Sequence, residues 1–448
     1  MINHQKRKFA SIYHNFSRLT GVVAFALASS FLATPLMAGD NSATKYSLSG
    51  ELDTTFRMRT TIDKKTLLPI YEYARLDLTN NLSHGAVASF YLGAWGRADL
   101  ADKSGNNFTD GDLQYAYLSY RAALNNTIIN LGRQFVTEGV ATERVDGFYL
   151  RSDFAAGFGS SVFAGAPVIS EPDFKGGKVL YGTRISQTNK KDYTLGLSVL
   201  KSERANKSIY REEEGLDVWL HPMEQVDLSG RSTYNSLTEG WMEHAYVLSV
   251  SPLEKIRLSV DVSQINYHDY FFNMTTTALS FINRPIDPNE KLFAGGVTIS
   301  YLPIKNLTIS TDYKSYNYEI AKNADYFGGK ASYTVPQSFA VGFGAHRMDG
   351  RIARLRYTEY RGYVSKVVGH ASVALDVTNV GYDAAINGVK NSFAVNGSTG
   401  YELNEKLKIG ASMEYLQSPD FDNEVRGLVN ATYIFDTKRV KGGGKNEK

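Results

Sequence analysis

A histidine beside a carboxylate, or a serine two residues from a histidine, could do acid–base or nucleophilic work, and the chain offers one of each. His268-Asp269 stands where an alternating stretch enters the longest polar link, so it could supply a base and its orienting acid. His370 and Ser372 share one face of an extended strand, but no third member is assignable. His84, His221, His244 and His346 are scattered singly, as polar loop and strand residues usually are. No H-E-x-x-H, G-x-S-x-G or P-loop occurs, and Gly442-Gly443-Gly444-Lys445 lacks P-loop spacing and reads as a flexible tail. The chain has no cysteine, which removes disulfides, thiol catalysis, thiolate metal sites and haem attachment through C-x-x-C-H. The expectation is a protein that is not an enzyme and carries no cofactor or metal.

A larger group of ionisable residues recurs at every second position. Tyr46, Leu48, Gly50, Leu52, Thr54, Phe56 and Met58 take one face of the first segment, while Glu51, Asp53, Arg57 and Arg59 take the other. Ile256, Leu258, Val260 and Val262 oppose Arg257 and Asp261, and Leu407, Ile409, Ala411, Met413 and Tyr415 oppose Lys408 and Glu414. A period of two is a strand signal. The runs reach about ten residues, against about five or six for an ordinary globular strand, which is the length a tilted membrane strand needs. A soluble sandwich would have to bury those charged faces, whereas a barrel in lipid satisfies both. By this parity Glu51, Asp53, Arg57, Arg59, Arg75, Asp77, Arg257, Asp261, Asp312, Lys314, Arg354, Arg356, Lys408 and Glu414 line a water-filled lumen. Fixed lumen charges set which ions enter. Mixed signs also let them pair along the wall, so no ion preference follows.

The links between runs reinforce this reading. His221-Pro222-Met223-Glu224-Gln225, Ser251-Pro252-Leu253-Glu254-Lys255, Leu302-Pro303-Ile304-Lys305-Asn306 and Leu403-Asn404-Glu405-Lys406 are short and rich in turn formers. Longer polar links fall between them, at 99–110, 169–177 and 270–290. Short turns on one rim and longer loops on the other describe an all-β, antiparallel, up-and-down transmembrane β-barrel. Counting runs gives about 22 strands within a range of roughly 16–22, with the first pairing with the last. The alternation blurs over 135–168 and 324–370.

Ahead of the barrel, Lys6, Arg7, Lys8 and Arg18 precede an apolar run from Gly21 to Met37 and the exit Pro35-Leu36-Met37-Ala38-Gly39, a signal-peptide pattern with cleavage expected after Ala38. The expected division is leader 1–38, barrel 39–435 and polar tail 436–448. Without the leader the chain has 45 basic and 46 acidic residues, a net charge of −1, and so no basic excess to attract nucleic acid. Only a few residues separate Ala38 from the first run, so no plug domain is expected.

The leader, the amphipathic runs, the turn rhythm and a last segment with Val425, Gly427, Val429, Ala431, Tyr433 and Phe435 on one face resemble the Gram-negative outer-membrane porin class. The resemblance implies an outer-membrane channel for passive diffusion of small hydrophilic solutes or ions, bounded by lipid and compatible with homo-oligomers. Two alternatives stay open: the barrel sheath of a porin–cytochrome electron conduit, with a periplasmic or multihaem cytochrome partner, and an outer-membrane barrel enzyme. Barrels of about 22 strands are usually plugged, so something should narrow this lumen. The segment with Phe271, Phe272, Met274, Phe281 and Ile282 is too apolar for a solvated loop and is the expected constriction. Tyr46, Phe56, Tyr433 and Phe435, near run ends, suit an interfacial aromatic girdle.

Overall fold

A computed structural model describes residues 46–60, 65–101, 109–168, 178–189, 191–204, 208–272 and 287–437. The leader and its cleavage site, Met274, Phe281, Ile282 and the tail from 438 onward lie outside the described residues.

The strands are β1 (Tyr46–Thr60), β2 (Thr66–Leu67), β3 (Pro69–Asn81), β4 (Val87–Asp99), β5 (Thr109–Arg121), β6 (Ile128–Glu138), β7 (Ala141–Asp153) and β8 (Phe158–Pro167). They continue as β9 (Val179–Asn189), β10 (Tyr193–Glu203), β11 (Ile209–Met223), β12 (Val226–Asn235), β13 (Gly240–Leu253), β14 (Ile256–Asn266), β15 (Lys291–Tyr301) and β16 (Leu307–Tyr318). The last seven are β17 (Lys322–Val335), β18 (Phe339–Gly350), β19 (Arg356–Val368), β20 (Ala371–Ile386), β21 (Val389–Glu402), β22 (Leu407–Ser418) and β23 (Phe421–Asp436). The two-residue β2 pairs with the end of β1, as β3 does with the rest of it, so β2 and β3 share one place in the wall. The wall is therefore a meander of 22 antiparallel strands.

The barrel closes where β1 pairs with β23, from Ser49↔Asp436 to Met58↔Gly427. At this seam Thr432 Oγ1 donates to Asp53 Oδ2 at 2.6 Å, and the Phe435 ring lies over Gly50, where any Cβ would collide with it. Closure leaves no row of unpaired backbone groups, the condition for a sheet in hydrocarbon.

Side-chain exposure separates the two faces. Leu118, Leu197, Phe343 and Met413 are 61%, 64%, 58% and 62% exposed, and they alternate with polar, charged or small residues on the opposite face. Large apolar side chains this exposed suit a lipid-facing surface, so the alternate face lines the lumen. Tyr46, Phe56, Tyr433 and Phe435 fall on the lipid side by register, with Phe56↔Val429 and Leu52↔Tyr433. No described helix is long and apolar enough to cross a membrane. The tight turn between β20 and β21 uses the conformation its residues favour. Asn387 and Gly388, both at positive φ (49° and 82°), link Ile386 to Val389, the two-residue geometry suited to Asn-Gly.

Candidate functional site

One hairpin leaves the wall. β6 pairs with β5 only from Arg121↔Ile128 to Ala116↔Arg133, yet its pairing with β7 continues to Glu138↔Ala141. Beyond Arg133, therefore, β6 has parted from β5. The tip is found three and four strands away: Val140 N donates to Ser198 Oγ of β10 at 3.0 Å, and a Cβ on Gly215 of β11 would strike the Val140 side chain. Ser198 alternates with Leu197, which faces lipid, so the hairpin crosses the lumen side of β8 and β9.

The bend is made by glycine. Gly132, Gly147 and Gly165 stand abreast on β6, β7 and β8. Gly132 has φ +124°, a conformation L side chains rarely adopt. A Cβ on Gly147 or Gly165 would come within 3.0 Å of the neighbouring strand's backbone. Three adjacent strands can approach closely only because none carries a side chain there.

What holds the hairpin down is a small apolar core inside the lumen. Val136, Ala141 and Val145 from the hairpin pack with Phe163, Leu180 and Leu200 from β8, β9 and β10, all essentially buried. Burying side chains of this size stabilises by roughly 1.5–3 kcal/mol each, enough to dock a hairpin of this length. Leu200→Ala should cost about 2–5 kcal/mol of that docking and add flicker between two current levels to a single-channel record. A record as quiet as the parent's would show that the core does not set the hairpin's position.

Ion pairs latch both flanks. Toward β5, Arg144 pairs closely with Asp112, while Arg133 holds Asp146 through Nε and Nη2 at 2.7 and 2.8 Å and lies 3.7 Å from Asp112. Toward β11, Glu143 pairs with Arg211, which also holds Glu213. Tyr149 Oη donates to Glu138 Oε1 at 2.5 Å, and Glu138 lies 3.8 Å from both Arg151 and Arg184. The hairpin's free face, with Trp95, Asp110, Arg231 and Glu243 of the surrounding wall, borders a cavity of about 1040 Å³. This arrangement can narrow a water-filled lumen and present fixed charge of both signs to a passing solute.

The expected constriction loop meets the same cavity from another side. After β14 a helical turn, Tyr267–Tyr270, packs Tyr267 and Tyr270 against Phe271 with ring centroids 5.4 and 4.9 Å apart, and Phe272 borders the cavity. His268 Nδ1 lies 3.1 Å from Asp269 Oδ1, but Asp269 is buried, accepts from Asn266 Nδ2 and is tied to Asn235 through its carbonyl. That network secures the turn.

Four of the charges expected to line the pore pair with one another, Glu51 with Arg75 and Asp261 with Lys314, and most of the others meet further wall residues. Arg75 lies 3.9 Å from Glu51, Asp53 accepts from Thr55 Oγ1 at 2.7 Å, and the Arg57 guanidinium sits 4.8 Å from the Tyr71 ring centroid. Lys314 Nζ reaches Asp261 at 2.5 Å over Gly296, and His346 Nε2 reaches Asp312 at 3.1 Å over Gly328. Both pairs span an intervening strand whose glycine leaves room. Arg257 meets Ser249 Oγ at 3.3 Å, Lys408 meets Glu402 at 2.5 Å, and Glu414 meets Arg426 at 3.5 Å. Asp77 stands in register with Tyr91 on the inner face, and Arg59 pairs in register with Leu67 at the end of β1.

Two positions depart from the expectation. Arg354 lies in the helical turn Ala353–Leu355, outside any strand, held by Asp420 at 3.0 Å. Arg356 shares its face of β19 with Tyr360 and Val364, opposite Tyr357 and Glu359, so parity puts it on the outer side of the rim. The turn between β18 and β19 shifts the phase by one residue, and a one-residue shift exchanges the faces. Conversely Asp112, Arg133, Glu143, Arg144, Asp146 and Arg211, which cluster at the hairpin, were not among the expected residues.

No known protein-family description matches the sequence, and no curated protein sequence does either. Solved structures do match in shape. A mutant of the ferric enterobactin receptor PfeA from Pseudomonas aeruginosa superposes with a TM-score of 0.51 at 10% identity, covering 88% of this chain and 81% of that one. The chain has the fold of an outer-membrane β-barrel. OccAB4 of Acinetobacter baumannii (TM-score 0.43, 8% identity, 89% and 100% coverage) and OccK8 (OprE) of Pseudomonas aeruginosa (0.43, 10%, 88% and 98%) are more distant in shape. At these identities the likeness is one of fold. Among the described residues there is no plug domain, and the wall's own β6–β7 hairpin lies across the lumen face.

Proposed function

We propose that the protein is an outer-membrane channel through which small hydrophilic solutes or ions diffuse passively, with the β6–β7 hairpin as its constriction. The observation that carries this reading is that hairpin: it lies across the lumen face, latched to β5 and β11, and turns charged side chains toward a cavity of about 1040 Å³. A filled, purely structural barrel would have no use for a hydrated, charged inner face. The polar lumen face is the second support. On this reading the leader is removed after Ala38, the tail hangs at the rim that carries both chain ends, and the barrel acts without catalysis or cofactor. The diffusion reading is favoured over a cytochrome sheath because an inward hairpin occupies space that an inserted protein would need.

Planar-bilayer recording of the purified barrel tests this. Stable unitary steps with defined ion selectivity under a salt gradient are expected. A barrel that shows heat-modifiable folding yet stays electrically silent would overturn the reading in favour of the alternative, the sheath.

A further inference from the structure

The inner face of β3, β4 and β5 carries two neighbouring groups of aromatic rings, Tyr71, Tyr73 and Trp95 in one and Tyr91, Tyr115 and Tyr117 in the other. Register places them in successive rows: Tyr71 beside Arg97, Tyr73 beside Trp95, Gly93 beside Tyr115, and Tyr91 beside Tyr117. All six rings are half-buried, with one side left to the lumen. Within each group the rings adjoin, with centroids 6.1 Å apart for Tyr71 and Tyr73, 6.4 Å for Tyr71 and Trp95, 6.1 Å for Tyr115 and Tyr117, and 5.1 Å for Tyr91 and Tyr117. Tyr115 lies flat over Gly93, whose Cβ would collide with the ring, so the strand gives up a side chain to seat it. From Tyr71 to the Tyr91–Tyr117 row the two groups form a strip that runs roughly 20 Å along the strands.

These rings are not the lipid girdle. On the same strands the lipid face is made by Leu78 and Leu118, which alternate with them. Nor do they belong to the hairpin's core, which contains none of these rings. What remains is a surface for a solute. A ring face carries negative charge density and attracts the weakly positive C–H groups of a partner, while phenolic hydroxyls offer hydrogen bonds at the edge. Glu51, Arg75, Asp77 and Asp112 stand on the same face between the rings. C–H faces that stack and hydroxyl edges that hydrogen-bond belong together to one solute class, the saccharides. The upper end of the strip, at Trp95, opens on the constriction cavity.

We infer that this strip is a binding track for neutral oligosaccharides, along which a chain of sugar rings is handed past the β6–β7 hairpin. The inference rests on the channel reading but has a readout independent of it. The chain contains three tryptophans, Trp95, Trp219 and Trp241, so in a Trp219→Phe, Trp241→Phe barrel the fluorescence reports Trp95 alone. Titration with maltotriose and cellotriose should change that emission saturably, whether or not the barrel conducts. In bilayers the same sugars should interrupt the current, and Tyr115→Ala should weaken both signals roughly tenfold. Tyr115→Phe, which keeps the ring, should retain most of the affinity and so guards against a variant that misfolds. A conducting barrel whose Trp95 emission and current ignore both sugars would overturn the inference and leave the channel intact. Response to free tryptophan alone, and not to sugars, would overturn it in favour of aromatic solutes. A silent barrel that still binds sugar through Trp95 would uphold the track and overturn the channel.

Discussion

Replacing residues 136–144 with a short Gly-Ser linker is expected to at least about double the single-channel conductance, because the narrowest cross-section dominates the resistance of a water-filled pore. The replaced segment is a two-stranded ribbon, about 10 Å across with its side chains, lying on the lumen face. The wall should survive its loss. β6 remains paired to β5 up to Arg133, and the β7–β8 pairing from Val145 to Asp153 is outside the replaced stretch. What the barrel loses is the small core, which exposes Phe163, Leu180 and Leu200 to lumen water and gives back a few kcal/mol, a modest fraction of a sheet with 22 paired strands. Ion selectivity should change as well, because the replacement removes Glu138, Glu143 and Arg144 and leaves Asp112 and Arg211 without those partners. Conductance unchanged within error in a barrel of normal heat-modifiability would mean that the lumen is narrowest elsewhere, the Tyr267–Phe272 segment being next in line.

Much of this architecture was legible because lipid on one side and water on the other impose a strict alternation. That constraint made the strand number, the closing pair and the face of Glu51, Asp53, Asp261 and Lys314 readable without coordinates. Paired wall charges were readable as one of two roles, but their reach over Gly296 and Gly328 depends on strand order, which only the register supplies. Arg356 failed because a turn changed the phase. The hairpin was missed for a subtler reason. Ile129 and Leu131 face lipid at odd positions, then apolar burial passes to the even position Val136; on the return, Val145 is buried at an odd position before Phe148 and Leu150 face lipid at even ones. The apolar face thus inverts at Gly132 and again at Gly147, two of the three glycines of the crease. Phe135 hides the inversion, since it continues the odd series while bordering the cavity rather than lipid. The aromatic strip was equally hidden, because tyrosine suits strands and membrane girdles alike, and only register shows which rings adjoin.

If the crease is the device that turns the hairpin inward, then filling it should undo the turn, and Gly147→Val is expected to be the most damaging single substitution in the lumen. A Cβ at Gly147 would come within 3.0 Å of the Ala164 carbonyl oxygen, the Ala164 carbonyl carbon and the Gly165 Cα, all backbone atoms of β8. No flexible side chain can give way, so β7 must move from β8 or the hairpin must straighten. Overpacking costs about 1–3 kcal/mol where neighbours can adjust and more where, as here, they cannot. That is comparable with what the buried core contributes to docking, so the cheaper escape is to release the hairpin and keep the wall. The expected result is a barrel that folds with reduced yield and conducts nearly as well as the linker variant. Gly295→Val is the matched control, because a Cβ at Gly295 meets nothing within 4 Å, and it should leave both folding yield and conductance at the parent's values. A Gly147→Val barrel with parental conductance and yield would show that the bend is imposed by the ion pairs of Arg144 and Glu143 rather than by the absent side chains.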